Sequence, residues 1–172
     1  SYKSKPTAQQ NLGCFSFCNK PLLSVFVLKF VFQFSKMQFR NFKMIGYVVY
    51  GRGAFNQLDE ILQPHRKDIF PMIFLVDDFF KVKDLVIRIP VKQNDKIIFV
   101  DFTYEPKTSY VDNIAIGLKQ EFGNVSGVIG IGGGSTMDLA KAVSLMLTNP
   151  GSSADYQGWD LVKNSAVYKV GI

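Results

Sequence analysis

The stretch "GVIGIGGGSTMDLAKAV", residues 127–143, joins a short apolar run to a helix-like segment through three consecutive glycines. The run "GVIGI" is typical of a buried strand, and apolar residues at helical spacing follow over 135–148. The first turn of a helix has unpaired N–H groups and a partial positive charge. Glycine has no Cβ to keep a phosphate away from these groups. The stretch therefore predicts a phosphate-binding turn between a strand and a helix.

Neither of two common glycine motifs fits this stretch. The pattern G-x-G-x-x-G needs a glycine where Ser135 stands, and a Walker P-loop needs Gly-Lys followed by Ser or Thr. A tight strand-to-helix turn with close packing would use the same glycines without any ligand. Ser135 offers a hydroxyl for capping or for phosphate, and Asp138 is spaced to complete a capping box with it. The spacing alone leaves the ligand site and the packing turn both open.

The rest of the chain alternates between strand-like and helix-like patterns. Strands are predicted at "MIGYVVYG" (44–51), "MIFLVDD" (72–78), "LVIRIP" (85–90), "KIIFVDF" (96–102), "GVIGI" (127–131) and "VYKVGI" (167–172). Helices are predicted over 54–63, 108–123 and 135–148, with Pro64 ending the first, Gly123 ending the second, and Thr108 or Ser109 as an N-cap. This alternation predicts an α/β fold, a Rossmann-like parallel sheet flanked by helices. Ligands of such folds bind at the carboxyl ends of the strands.

Composition divides the 172-residue chain at Met37. The formal net charge is +6, but residues 1–36 carry five lysines and no acid, which leaves +1 for residues 37–172. That near-neutral balance is evidence against a nucleic-acid partner. We therefore predict a poorly ordered N-terminal extension over 1–36 and a nucleotide-binding α/β domain over 37–172.

The extension contains the most apolar segment, "PLLSVFVLKFVFQF", residues 21–34. Lys29 interrupts it, no small-x-small cleavage site follows, and it is shorter than the ~20 residues of a membrane span. We expect no membrane attachment, with an anchor as the weaker alternative. Both cysteines, Cys14 and Cys18, precede the body, so a reducing cytoplasm is predicted. His65 is the one histidine and is expected at the surface, so no metal site is predicted from this chain alone.

The longer stretch "GGGSTMDLAK", residues 132–141, resembles the G-G-G-S-x-x-D-x-x-K signature of the iron-containing alcohol dehydrogenases, relatives of glycerol dehydrogenase and dehydroquinate synthase. "YGRGAF" resembles the family's early Phe-Gly-x-Gly turn, "FLVDD" its second strand, and "EPKT" its Glu/Asn-Pro-x-Thr segment beside the cofactor. The resemblance runs from about residue 37 to the end. It implies the N-terminal domain of the dehydroquinate synthase-like fold, with the C-terminal helical metal domain absent from this chain.

The resemblance also implies which residues bind a cofactor, NAD or NADP. These residues are Asp78, Glu105, Gly132, Gly133, Gly134, Ser135, Asp138 and Lys141. The glycines and Ser135 would bind the pyrophosphate, and Asp78, with Asp77 as a rival, the adenosine ribose. Asp138 would hold the loop or reach a cofactor hydroxyl. Lys141 is expected either near the cofactor or on a solvated helix face.

Family members hold a divalent metal, Fe or Zn, on a second domain, so neither a catalytic residue nor a metal ligand is predicted in this chain. The expected function is the cofactor-binding half of a metal-dependent alcohol or sugar oxidoreductase, whose full-length form takes a small alcohol or sugar substrate. "SLMLTNPGSSADYQGWDL" (144–161) resembles a subgroup that oxidises the terminal hydroxymethyl group of the lipopolysaccharide sugar 3-deoxy-D-manno-octulosonate (Kdo). A noncatalytic nucleotide-binding module or an inactive truncated product is the alternative, and a homo-oligomer is left open.

Overall fold

The computed structural model describes residues 45–67, 69–102 and 107–172. Within these residues, four parallel strands form one sheet in the order β2-β1-β3-β4. The strands are β1 (Met72–Asp77), β2 (Lys96–Val100), β3 (Gly127–Ile131) and β4 (Tyr168–Gly171). Helices flank this sheet, so the predicted Rossmann-like α/β fold is confirmed.

The described residues also form three α-helices and several 3-10 turns, which precede or connect the strands. The α-helices are α1 (Leu58–Leu62), α2 (Thr108–Phe122) and α3 (Gly134–Met146). The 3-10 turns are Ala54–Gln57, Gln63–His65, Asp78–Phe80, Val86–Arg88 and Ser153–Tyr156. Two of these turns flank α1, so the helix predicted over 54–63 is helical throughout but α-helical only in its centre.

The two central strands are buried on both faces, as their continuous apolar runs predict. Ile73 and Leu75 of β1 pack in the cluster that includes α2 and α3. Phe74 points to the opposite face, into the cluster that includes α1 and Ile89. Full burial of a side chain of this size contributes about 1.5–3 kcal/mol to stability. Two apolar layers therefore hold β1 and β3 in fixed positions.

Two predicted strands are wrong. Residues 45–50 form no strand among the described residues, and Tyr50 is 98% exposed. β-branched and aromatic residues favour a strand only where a neighbouring strand and a packed face are available. Residues 85–90 contain the 3-10 turn Val86–Arg88 instead of a strand, and Ile89 enters the core. Pro90 follows without an N–H group to donate to a ladder.

The helix boundaries differ slightly from the predictions. Lys107, not Thr108 or Ser109, is the N-cap of α2, and no side chain of the described residues caps that end. Gly123 ends the helix with a φ of 70°, which confirms the predicted stop. α3 starts at Gly134, one residue before its predicted start, and ends at Met146.

The order of the strands creates a crevice between β1 and β3. The chain runs from β1 to β2 on one side of β1, whereas β3 and β4 lie on the other side of β1. A reversal of this kind opens a gap at the carboxyl ends of the two strands, where α/β folds bind ligands. The predicted extension over 1–36 lies outside the described residues. None of the helices in the described part of the chain is both long and apolar enough to cross a bilayer.

Candidate functional site

The glycine turn lies at the crevice between β1 and β3. Val76 of β1 pairs with Ile131 of β3, so Asp77 and Gly132 follow as neighbours at the carboxyl edge of the sheet. A Cβ added to Gly132 would lie 2.8 Å from the Cβ of Asp77. The tertiary structure therefore places the turn at the point where ligand binding is expected for this topology.

Two glycines of this region are required for packing. A Cβ on Gly130 would lie 2.8 Å from the Cβ of Ala140, and one on Gly132 would lie 2.5 Å from Oγ1 of Thr136. Gly132 also has a φ of 156°, which side chains rarely adopt. Its N–H group donates to the carbonyl of Ile172 at 2.8 Å and is therefore already engaged. These two glycines therefore serve close packing, the alternative to ligand binding, because they let α3 approach the sheet closely.

The next two glycines face open space. Beyond the adjacent residues and the backbone of α3, no heavy atom of the described residues lies within 4 Å of a Cβ built on Gly133 or Gly134. Gly133 is the N-cap of α3, and its carbonyl accepts from the N–H group of Met137 at 3.1 Å. Helix geometry leaves the N–H groups of Gly134, Ser135 and Thr136 without intrahelical partners. The turn therefore offers unpaired amides behind an unobstructed backbone, as an anion site requires.

The polar side chains predicted on α3 face solvent. Ser135, Asp138 and Lys141 are all exposed, and Lys141 Nζ donates to Asp138 Oδ1 at 2.8 Å. The predicted capping box between Ser135 and Asp138 is wrong, because no side chain of the described residues caps α3. The helix begins at Gly134, so Ser135 lies inside the first turn and is not the N-cap. The structure places Lys141 on a solvated face, where it pairs with Asp138.

The two acids after β1 have different surroundings. Asp77 is half-buried, and its Oδ1 accepts from the N–H group of Phe79 at 3.0 Å. Asp78 begins the 3-10 turn Asp78–Phe80 and is exposed. Asp77 thus has a structural role as a cap, whereas the exposed Asp78 is accessible to a ligand. Glu105, the remaining predicted residue, lies outside the described residues.

His65 is exposed, as predicted, but its ring stacks on Tyr168 with 3.5 Å between the ring centroids. Burial raises the pKa of the Tyr168 phenol. Over residues 45–67, 69–102 and 107–172, no three His, Cys, Asp or Glu side chains are grouped so that they could hold a metal ion. The described residues therefore do not fit the divalent metal that the resemblance implies.

Sequence reasoning missed Thr136 and Gly130. Thr136 lies in the first turn of α3 and is fully buried, with its side chain beneath Gly132. Its position inside the "GGGST" segment could have suggested a role in the turn. The role of Gly130 in close packing is visible only in the folded chain, where α3 approaches it. In the sequence, Gly130 looks like an ordinary strand residue.

A separate cleft of about 290 Å³ lies on the other face of the sheet, where α1 packs. It is lined by Phe55, Asn56, Leu58, Asp59, Arg88 and Pro90. The side chain of Arg88 spans it with a 2.7 Å hydrogen bond to Asn56 Oδ1. No residue of the glycine turn lines this cleft. We place the candidate site at the turn, because the unpaired amides of α3 lie at the edge of the sheet where this strand order predicts ligand binding.

Known proteins resemble this chain over most of its described length. Alcohol dehydrogenase 4 from Saccharomyces cerevisiae is 28% identical over 121 residues, which are 69% of this chain and 31% of that protein. The structure of sulfoacetaldehyde reductase from Bifidobacterium kashiwanohense in complex with NAD+ has a TM-score of 0.55 at 23% identity, over 70% of this chain and 32% of that one. NADH-dependent butanol dehydrogenase A from Thermotoga maritima has a TM-score of 0.54 at 23% identity, over 74% and 34%.

The two structural likenesses show the same fold. This chain spans about a third of the length of each of these three proteins. The iron-containing alcohol dehydrogenase family matches residues 46–171, which is more than half of the sequence. The chain therefore belongs to the iron-containing alcohol dehydrogenase family.

Proposed function

We propose that this chain is the cofactor-binding part of an NAD(H)-dependent alcohol or sugar oxidoreductase. The observation that carries the proposal is the open backbone at Gly133 and Gly134, in front of the unpaired amides of α3. Family membership supports the proposal. Two similar structures also support it, one a complex with NAD+ and the other named as NADH-dependent.

In this proposal the N-terminus of α3 binds the pyrophosphate. The amides of Gly134 and Ser135 donate to phosphate oxygens, and the helix dipole favours the negative charge. Gly132 contributes close packing, since its own N–H group is bonded to Ile172. Asp78 accepts hydrogen bonds from the adenosine ribose. A carboxylate there repels a 2′-phosphate, so NAD is favoured over NADP.

The bound nicotinamide ring would accept or return a hydride. The described residues present no metal-ligand cluster, so we assign no catalytic step to them. Fe or Zn belongs, in this proposal, to other parts of a longer protein. Asp138, Lys141 and Glu105 remain candidate cofactor contacts, and the cytoplasmic location remains a prediction from the distribution of the cysteines.

We further propose a primary alcohol as substrate, and the terminal hydroxymethyl group of Kdo in particular. Support comes from the resemblance of residues 144–161 to that subgroup. The segment has a defined structure: Asn149 is buried and anchors it to Asn164, and Ser152 caps the turn Ser153–Tyr156. Kdo-dependent reduction of NAD+ by the full-length protein tests this proposal. Activity with simple alcohols but none with Kdo would contradict it.

Gly133→Val tests the nucleotide site directly. Gly133 has φ −72° and ψ −178°, which valine adopts readily, and a Cβ built there meets no described atom within 4 Å beyond the adjacent residues. We expect the variant to fold normally and to lose NAD+ affinity by at least about tenfold, because the new side chain occupies the space of the phosphate. Isothermal titration calorimetry of the 172-residue chain with NAD+ measures the affinity.

Gly117→Val is the matched control. Gly117 lies on a different helix, α2, and a Cβ there also meets no described atom within 4 Å beyond its neighbours in that helix. We expect this variant to bind NAD+ like the wild-type chain. Equal affinities of the wild-type chain and Gly133→Val would contradict the proposed site, and absence of binding by the wild-type chain would contradict the proposed function.

A further inference from the structure

The hydroxyl of Thr136 is unusual for a buried polar group. Thr136 is 0% exposed, and its Oγ1 has no hydrogen-bond partner among the described residues. The large majority of buried side-chain polar atoms have a partner, because an unpaired one loses its hydration without compensation. A threonine in a helix can bond a carbonyl one turn earlier, yet this one does not. The free chain therefore carries an uncompensated cost at this residue.

The position of this hydroxyl connects it to the candidate site. Thr136 lies in the first turn of α3, and its Oγ1 is 2.5 Å from the point where a Cβ of Gly132 would lie. Asp77 approaches the same point from β1. The hydroxyl is thus directly beneath the glycine turn, and a Cβ built on the neighbouring Gly133 or Gly134 would face open space.

We propose that Thr136 is a positioning residue that couples the glycine turn to nucleotide binding, an inference that rests on the proposed function. Its hydroxyl is unpaired in the free chain and gains a hydrogen-bond partner when a phosphate group occupies the turn. Since Oγ1 has no exposed surface, the partner becomes available through a shift of the turn around the phosphate. Part of the binding free energy then comes from the hydrogen bond that the Thr136 hydroxyl lacks in the free chain.

This coupling predicts opposite effects of Thr136→Val on stability and on affinity. Valine has the same branched shape and a similar helix propensity, so it removes little besides the hydroxyl. Replacing an unpaired buried hydroxyl by an apolar group is neutral or stabilising. The melting temperature of the free 172-residue chain should therefore stay the same or rise. Its affinity for NAD+ should fall by about tenfold, as expected for one lost hydrogen bond.

Thr148→Val provides the same chemical change at the other end of α3. The Thr148 hydroxyl donates to the carbonyl of Leu145 at 3.1 Å and accepts from Nδ2 of Asn149 at 3.0 Å, so it is satisfied in the free chain. This control should lower the melting temperature and leave NAD+ affinity unchanged. Thr136→Ser keeps the hydroxyl and should restore most of the affinity lost in Thr136→Val.

Differential scanning fluorimetry without ligand and calorimetric titration with NAD+ give the two readouts. A lower melting temperature of Thr136→Val, or an unchanged affinity, overturns the inference while leaving the nucleotide site intact. Failure of Thr136→Ser to restore binding also overturns the inference, because the loss of NAD+ affinity would then come from the changed shape of the side chain and not from the missing hydroxyl. If the wild-type chain binds no NAD+, this inference and the proposed function both fail.

Discussion

At the scale of single residues, the most deeply buried ion pair given for the described part of the chain lies away from the candidate site. Arg66 Nη1 contacts Asp95 Oδ2 at 2.6 Å, and the two side chains are 13% and 3% exposed. Asp95 also accepts from the backbone N–H groups of Met72 and Lys92. This one carboxylate thus joins the start of β1 to the turn before β2 and to the chain after α1.

Asp95→Asn should destabilise the protein strongly. The substitution leaves the Arg66 guanidinium buried beside a neutral group, and breaking a buried pair in this way costs about 3–5 kcal/mol. Asp59→Asn is the control, because the Lys92–Asp59 pair is about half exposed and such pairs contribute about 0–1 kcal/mol. Urea unfolding of both variants measures the difference. Equal losses of stability would show that burial does not determine the strength of these pairs.

The glycines show how far single residues could be predicted. The sequence predicts an anion site at residues 132–134, which stays a prediction, and the structure leaves the backbone of Gly133 and Gly134 unobstructed. It could not separate these two from Gly132, because the difference depends on Thr136 and Asp77, which approach only in the folded chain. The packing distances, and not the spacing of the glycines in the sequence, separate the tightly packed Gly132 from the unobstructed Gly133 and Gly134.

At the scale of elements, hydrogen bonds to one acid attach the segment after α3 to α2. Asp112 of α2 accepts from the hydroxyl of Ser152 at 2.6 Å and from the N–H group of Ser153 at 2.8 Å. The Ser152 hydroxyl is the main cause that lowers the pKa of Asp112, burial opposes it, and the Ser153 amide adds to the lowering. The carboxylate form is therefore the one that holds the two elements together.

This lowered pKa predicts a loss of stability in acid. Because the pKa of Asp112 is lower in the folded chain than in the unfolded one, its stabilisation is complete well above pH 4 and disappears as the pH falls through the folded pKa. Asp112→Asn should lose less stability than the wild-type chain between pH 6 and pH 3, as measured by urea unfolding at each pH. We expect a difference below about 1 kcal/mol, because solvent screens this carboxylate. Parallel pH profiles of the two proteins would contradict the assignment.

Elements with strong local patterns were predicted correctly. β1, β3, α2 and α3 combine long apolar runs or helical spacing with glycine or proline at their ends, and their local preferences agree with the tertiary structure. Residues 45–50 and 85–90 have strand-like composition, but the first forms no ladder with described strands and the second turns at Val86–Arg88. A strand depends on a partner, so composition alone predicts it less well than a helix.

At the scale of the whole molecule, the order β2-β1-β3-β4 places a reversal between β1 and β3, where ligand binding is expected for such folds. We expect NAD+ to stabilise the 172-residue chain by about 2.7 kcal/mol when it is present at 100 times its dissociation constant. For a chain of this size that corresponds to a rise of about 5–10 °C in melting temperature. Differential scanning fluorimetry with increasing NAD+ measures this rise.

NADP+ at the same concentrations should give a smaller rise, because Asp78 repels its 2′-phosphate. Asp78→Ser should narrow the difference between the two cofactors. A larger rise with NADP+ than with NAD+ in the wild-type chain would contradict the proposed role of Asp78.

The sequence by itself determined the fold class, the buried central strands and the turn where a phosphate is expected, because local periodicity and glycine placement act over a few neighbouring residues. Only the tertiary structure decided that Asp77 adjoins Gly132, that Thr136 is buried without a hydrogen-bond partner among the described residues, and that Asp138 pairs with Lys141 in solvent. The first two features depend on distances between β1, β3 and α3, and the third on which face of α3 the sheet covers. No local pattern encodes the first two relations, because they arise when separate segments pack together. The contact between Asp138 and Lys141 is local to α3, and only its exposure to solvent depends on the packing.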